Sequence, residues 1–304
     1  MEHILSLSYG KDSLACLGAI EMLGWPLDRI IHVEVWATEH IPADLPPMLE
    51  FKAVVDKIIL RRWGIKVEHI HAGMSYEDIF YKMRKSGNHT GQIHGFPMLQ
   101  GSWCKDRLKT DILEFAKKVS FEDLFYRNRK WGDGSIHING WLLTAKKGQS
   151  SWCASRLKER VFRKARGCER PISYVGIAAD EPKRFHDLNQ SIRSPLVEAG
   201  WTEAYCRKWA EENDLLAPTY TTSLRSGCWF CHNQGVEQLR LLRKDYPELW
   251  SLMLKWDADS PVTFKANGHT VHDYDRRFMM EDKGSIPTSG RLFRWKMLDQ
   301  KKEE

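Results

Sequence analysis

Three short apolar runs, at 4–8, 29–37 ("RIIHVEVWA") and 65–71 ("IKVEHIH"), alternate with two stretches of helical periodicity inside the first 71 residues. The first helical stretch runs from Ser13 to Leu23, with Leu14, Leu17, Ile20 and Leu23 at the spacing of one helix face. Gly24 and Pro26 end it. The second covers 45–64. Strand, helix, strand, helix, strand at these lengths is the pattern of a parallel sheet covered by crossover helices. A further apolar run, "ISYVGIAADE" at 172–181, predicts another buried strand with acidic residues at its C-terminal end. Ligands of open α/β sheets gather at that edge.

With 304 residues the chain has room for one main domain and an appended module. Strand signals fade after about Thr221, where "GVEQLRLLRKDYPELWSLMLKW" at 235–256 reads as a helix, so a boundary is expected near 220. The expectation is an α/β domain over 1–220 with an insertion around 110–150, then a helical module containing a CxxC pair over 221–304. The net charge is +6 and the isoelectric point about 8.8. That excess suits polyanionic partners, and a solvated Lys/Arg surface explains it equally well. No stretch of 18 apolar residues occurs, so no membrane partner is expected. The opening MEHILSLS lacks the basic segment and long apolar core of a secretory leader, which with seven cysteines points to a reducing, cytoplasmic setting. There a cysteine cluster is more often a metal or redox site than a disulfide framework.

Between the first strand and the first helix lies Ser8-Tyr9-Gly10-Lys11-Asp12-Ser13. A strand that ends in a glycine loop and feeds a helix aims backbone N–H groups at one spot, and the helix start adds partial positive charge. Gly10 permits close approach, Lys11 brings a mobile cation, and the hydroxyls of Ser8 and Ser13 can donate to phosphate oxygens. The spacing is not that of a Walker A loop.

Cys228 and Cys231 form a CxxC pair in "RSGCWFCHNQG". Two thiolates at this spacing can share one metal, but tetrahedral zinc or a [4Fe–4S] cluster needs four ligands. Cys206, Cys104 and Cys153 are candidates for the rest, with His232 a weaker option for zinc. Cys16 reads as a small buried hydrophobe, and Cys168 has no assigned role. Cys104 and Cys153 belong to an internal repeat, S-W-C-x-x-R-L-K, at 102–109 and 151–158.

The order of these elements, loop, W-C-x-x-R-L-K, "YVGIAADEPKR" and "SGCWFC", resembles the phosphoadenosine phosphosulfate (PAPS) reductase family in its broad sense, in particular its phage and mobile-element members. The loop resembles that of the N-type ATP pyrophosphatases. The resemblance covers roughly 4–255. It implies an adenine nucleotide alpha-hydrolase-like, Rossmann-like α/β fold with helices on both faces of a parallel sheet. It further implies nucleotide contacts from Ser8, Tyr9, Gly10, Lys11, Asp12, Ser13, Asp180, Glu181 and Lys183, and a zinc ion or iron–sulfur cluster on Cys153, Cys206, Cys228 and Cys231. Cys153 is preferred to Cys104 because its distance to "YVGIAADE" is the more usual one. Tyr9 stands where the family usually has glycine, and Ala178 replaces a frequent arginine. True reductases carry a later cysteine in an E-C-G-L-H motif, and no cysteine follows Cys231 here.

The implied chemistry is ATP pyrophosphatase-type adenylation of an acceptor, linked to sulfur transfer. Lys11 and the loop amides would hold the departing pyrophosphate, Arg184 or Lys158 would neutralise the α-phosphate, and Asp12 and Asp180 would bind Mg²⁺. The acceptor is not readable, and a tRNA or DNA is among the choices. Two alternatives are a thiol-dependent sulfonucleotide reductase, with Cys104 beside Lys105 and Arg107 as nucleophile, and a non-catalytic nucleotide- or nucleic-acid-binding protein that stacks bases on the tryptophans of 127–148.

Overall fold

The structure, a computed structural model, describes residues 1–85, 89–97, 103–117, 171–185, 191–221 and 227–298. Its contacts divide it into two compact units, Met1–Tyr76 with Trp103–Cys228, and Glu77–Ser102 with Trp229–Glu304.

The first unit is α/β. Its sheet holds β1 (His3–Leu7), β2 (Arg29–Glu34), β3 (Val67–His71), β4 (Ile172–Tyr174) and β5 (Ile192–Arg193), in the order β3-β2-β1-β4-β5 with every pairing parallel. Side chains alternate between its faces as the pleat requires. Leu5, Leu7, Ile30 and Val67 pack on one side with α1 (Lys11–Leu23) and α2 (Pro46–Trp63). Ile4, Ile31 and Ile70 pack on the other with Leu113 and Ala116 of α3 (Asp111–Ala116). Helices therefore cover both faces, which is why β1 and the first half of β2 are apolar on both.

Chain order runs outward from β1 to β3 at one edge, then returns to the far side of β1 for β4 and β5. The direction reverses between β1 and β4, and such a reversal opens a crevice at the carboxyl ends of the two strands. α1 ends in a left-handed turn at Gly24. It also packs on α4 (Glu203–Glu212), where Gly18 leaves room for the Trp209 indole that a Cβ would meet at 2.3 Å.

Two expected elements differ. The predicted strand at 172–181 pairs only over Ile172–Tyr174, because the chain after it leaves the sheet to press Gly176 onto the start of α1. The helix expected over 235–256 is two helices, α5 (Val236–Asp245) and α6 (Pro247–Asp259), since Pro247 lacks the amide needed to continue the first and instead opens the second.

The second unit contains α5, α6 and α7 (Val271–Asp282) around an aromatic core. Trp229 stacks on Trp256 at 5.7 Å, and Phe80, Phe96 and Phe264 meet edge to face. Arg277 is buried, donates to Glu281 at 2.7 Å and lies 3.6 Å from the Phe293 ring centre. No helix among the described residues is long and apolar enough to cross a membrane.

Candidate functional site

The 8–13 loop begins where β1 ends, at the crevice. Gly10 caps α1 without a side-chain acceptor, so the first turn keeps its partial positive charge. Ser13 Oγ ties the turn together: it donates to Gly10 O at 3.0 Å and accepts from the Ser8 amide at 3.2 Å. The Lys11 amide donates to the Tyr220 hydroxyl at 3.2 Å. On the far side of the crevice, a Cβ on Gly176 would fall 2.7 Å from Ser13 N and 2.8 Å from Asp12 C, distances that real side chains do not reach. Only glycine lets the segment after β4 lie this close to the loop after β1.

Charged groups rim the same place. Lys11 Nζ donates to Asp12 Oδ1 at 2.7 Å and to Glu203 Oε1 at 3.1 Å, while the Glu203 amide is held by Asp180 Oδ1 at 3.0 Å. Glu181 accepts two bonds from Arg184, at 2.7 and 2.6 Å, and one from the Ala178 amide at 3.3 Å. Burial pushes the Asp12 carboxyl up despite Lys11 beside it, and Glu203 and Glu181 add to the rise. Burial alone would lower the Lys11 ammonium, yet Asp12 and Glu203 hold it above its ordinary value. Lys183 is exposed on the short Pro182–Phe185 helix. Lys11, Asp12 and Asp180 are thus joined through Glu203, and the Glu181 carboxylate acts on Asp12 through space. Lys158 and Cys153 lie outside the described residues.

Behind the loop sits a second network, buried at Tyr9, His32 and Lys52 and partly exposed at Glu34, Asp56 and His69. Tyr9 has a left-handed backbone, φ 55°, and no exposure. Its ring meets the His32 ring edge-on at 4.7 Å, its hydroxyl donates to Asp56, and His69 Nε2 lies 3.2 Å away. His69 Nδ1 is 2.9 Å from Glu34 Oε1, and its Nε2 is 2.8 Å from Asp56 Oδ2. Both ring nitrogens face carboxylates, so both carry protons, and the hydrogen bonds from Asp56 and Glu34 raise His69 to about 9. His32 is opposite: burial and Lys52 pull it down to about 3. Its Nδ1 donates to Leu7 O at 2.9 Å, which leaves Nε2 to accept from Lys52 Nζ at 2.8 Å. Lys52 also reaches Asp44 at 2.5 Å.

Among the described residues, His32, Glu34 and His69 form the group whose ligand atoms all lie within 4.8 Å, the separation a metal ion would need. The set does not fit a cation. Lys52 places an ammonium on His32 Nε2, and the two nitrogens of His69 are protonated toward carboxylates.

The cysteines fall in different surroundings. Cys206 is fully buried on the face of α4 turned to α1, next to Cys16, and burial pushes its thiol up to about 12. Cys104 is half-buried on the short Trp103–Lys105 helix, where Trp103 stacks on Tyr76 at 4.9 Å. Cys228 ends the first unit and Cys231 belongs to the second. In that second unit Lys265 Nζ, which burial lowers to about 8, donates to the carbonyls of His232 and Gln234 at 2.5 Å each and fixes the turn after Cys231.

Comparison of the chain with family models, with curated proteins and with solved structures finds no match.

Sequence reasoning did not single out His32, Glu34, Lys52, Asp56 and His69. A signal was present. Strands covered on both faces read as continuous apolar runs, whereas "IIHVE" and "VEHIH" place His32, Glu34 and His69 at alternate positions, and Lys52 and Asp56 are one turn apart on α2.

Proposed function

We propose that the chain binds an adenine nucleotide in the crevice between the ends of β1 and β4 and transfers its AMP to an acceptor. The observation that carries this is positional: the glycine loop after β1 and the acidic segment after β4 meet at the reversal of strand order, with Gly176 packed on the backbone of Asp12 and Ser13. The strand order also agrees with a Rossmann-like, adenine nucleotide alpha-hydrolase-like fold.

In this reading an acceptor oxygen attacks the α-phosphorus, the bond to the bridging oxygen breaks, and pyrophosphate leaves. Lys11 exchanges its carboxylate partners for the phosphates of the nucleotide, and the start of α1 adds its partial charge. Arg184, released from Glu181, neutralises the α-phosphate. Mg²⁺ bound with the nucleotide would supply further charge neutralisation, and Asp12 and Asp180 are the carboxylates that would hold it. A sulfur nucleophile displacing the adenylated oxygen would complete the sulfur transfer that the family resemblance implies.

For a zinc ion or iron–sulfur cluster on Cys153, Cys206, Cys228 and Cys231, Cys206 fits poorly. It would have to leave its packing against Cys16.

The test is pyrophosphate release from ATP by the purified protein. Activity that disappears in Lys11→Ala, with the fold intact by circular dichroism, supports the reading. Wild-type protein that neither binds nor cleaves ATP overturns it.

A further inference from the structure

Tyr9 is one of two non-glycine residues with positive φ among the described residues. A left-handed backbone costs a bulky residue about 1–2 kcal/mol, and such strain persists where the surroundings over-determine it. Here they do so from three directions. His32 of β2 supports the ring edge, Lys52 of α2 lies 5.3 Å from its centre, and the hydroxyl is seated between Asp56 of α2 and His69 of β3. The very next residues are Gly10 and Lys11. A buried phenylalanine would satisfy the apolar contacts equally well, so the hydroxyl and the charged groups that receive it require a separate explanation. The hydroxyl itself cannot touch a ligand, because Tyr9 has no exposed surface.

We propose that Tyr9, clamped by Asp56 and doubly protonated His69, is a positioning residue that holds the 8–13 loop in its phosphate-accepting turn, so that the clamp loosens when His69 gives up a proton. The inference rests on the nucleotide-binding reading above and adds to it the device that sets the loop.

His69 is faced by Asp56 of α2, by Glu34 and His32 of β2 and by Tyr9 of the loop, with Lys52 and then Asp44 behind His32. Two carboxylates outweigh the nearby cations, which is why the second proton is held to about 9. Once it leaves, one carboxylate loses its donor and the seat of the Tyr9 hydroxyl changes. Ser8, Lys11 and Leu14 carry the amides that report the turn, since these donate to Ser13 Oγ, the Tyr220 hydroxyl and Gly10 O.

Hydrogen exchange of the full chain, expressed relative to unstructured rates at each pH, tests the clamp. In Tyr9→Phe the reporter amides should exchange at least ~10-fold faster, while amides in the second half of α1 stay as in the wild type. The wild type should show the same local loosening between pH 8 and 10, and Glu34→Gln should move that change to lower pH. Unchanged reporter amides in Tyr9→Phe overturn the proposal, as does acceleration spread evenly over α1. If Tyr9→Phe does not fold, Asp56→Asn is read against the same outcomes. Calorimetric ATP titration separates the two layers. A wild type that binds ATP and a Tyr9→Phe protein that binds ~10-fold more weakly supports both, and equal affinities sink the clamp alone. A wild type that binds no ATP sinks the nucleotide reading, and the exchange comparison still decides whether Tyr9 holds the turn.

Discussion

The 8–13 loop is held differently on its two sides. In front, Lys11, Asp12, Glu203, Glu181 and Arg184 make ion pairs at the rim, and Glu203 and Arg184 are more than half exposed. Pairs of this kind are worth little to stability, about 0–1 kcal/mol, and are readily exchanged for another partner. Behind, Tyr9, His32, Lys52, Asp56 and His69 interlock with at least one partner for each polar group. Tyr9, His32 and Lys52 are buried, and removing one of them strands its partners at a larger cost, about 1–3 kcal/mol, while Asp56 and His69 keep about 30 % side-chain exposure. The contrast separates roles: the front can be given up to an incoming anion, whereas the back sets where that anion meets the chain.

Four measurements bear on this contrast, from the largest expected effect down. Lys11→Ala should reduce pyrophosphate release by about a thousandfold, equivalent to about 4 kcal/mol of transition-state stabilisation, with an unaltered melting temperature. A large fall in melting temperature would place Lys11 with the structural back. Gly176→Ala should destabilise the fold by about 2–3 kcal/mol in denaturant titration, in the range of overpacked sites, because the added carbon meets backbone of Asp12 and Ser13. A neutral result would mean that the two loops are not pressed together.

The third concerns pH. His69 is raised from its ordinary 6.5 to about 9 in the folded protein, so its contribution is complete below about pH 6.5 and is lost as pH rises through 9. His32 is lowered to about 3, so the unfolded chain takes up a proton first and stability also falls as pH drops below 6.5. These two histidines together favour maximal stability near pH 6.5. Melting temperature should decline by roughly 1.5–3 °C between pH 6.5 and 9.5, the size expected in a chain of this length for the one to two kcal/mol left after solvent screening of the partly exposed His69. Asp56→Asn should flatten the decline, and an identical slope in that variant would remove His69 as its source. The smallest effect belongs to Glu203→Gln. It takes one competing charge from Lys11, so ATP affinity should rise about two- to fivefold by calorimetry, with less than ~0.5 kcal/mol change in stability.

The second unit adds a further contrast with the first. Periodicity read α5 and α6 as one helix and α7 as irregular tail; the division was hidden because twenty-two residues at 235–256 keep an apolar face through Tyr246 while Pro247 removes a single amide. Local pattern favours one helix, and local covalent chemistry breaks it. In the first unit the error had another origin. "ISYVGIAADE" starts with the composition of a strand and stays apolar to Ala179, but the sheet accepts only three of its residues before Gly176 turns toward α1. Pairing partners end a strand, and they are remote in sequence.

Apolar periodicity and the glycine after the first strand were enough to determine the parallel α/β character of the first unit and the place of the loop at the start of α1, since each element is set by local pattern and strands joined by a helix pair in parallel. Strand order was not contained in that pattern. Only the folded chain decided that β4 lies beside β1, which brings Asp180 and Glu181 to Lys11, and that His32, Lys52, Asp56 and His69 converge beneath Tyr9. Contacts at the loop join residues up to 209 positions apart, such as Lys11 and Tyr220. No local propensity encodes them, because they follow from how the whole sheet is ordered and covered.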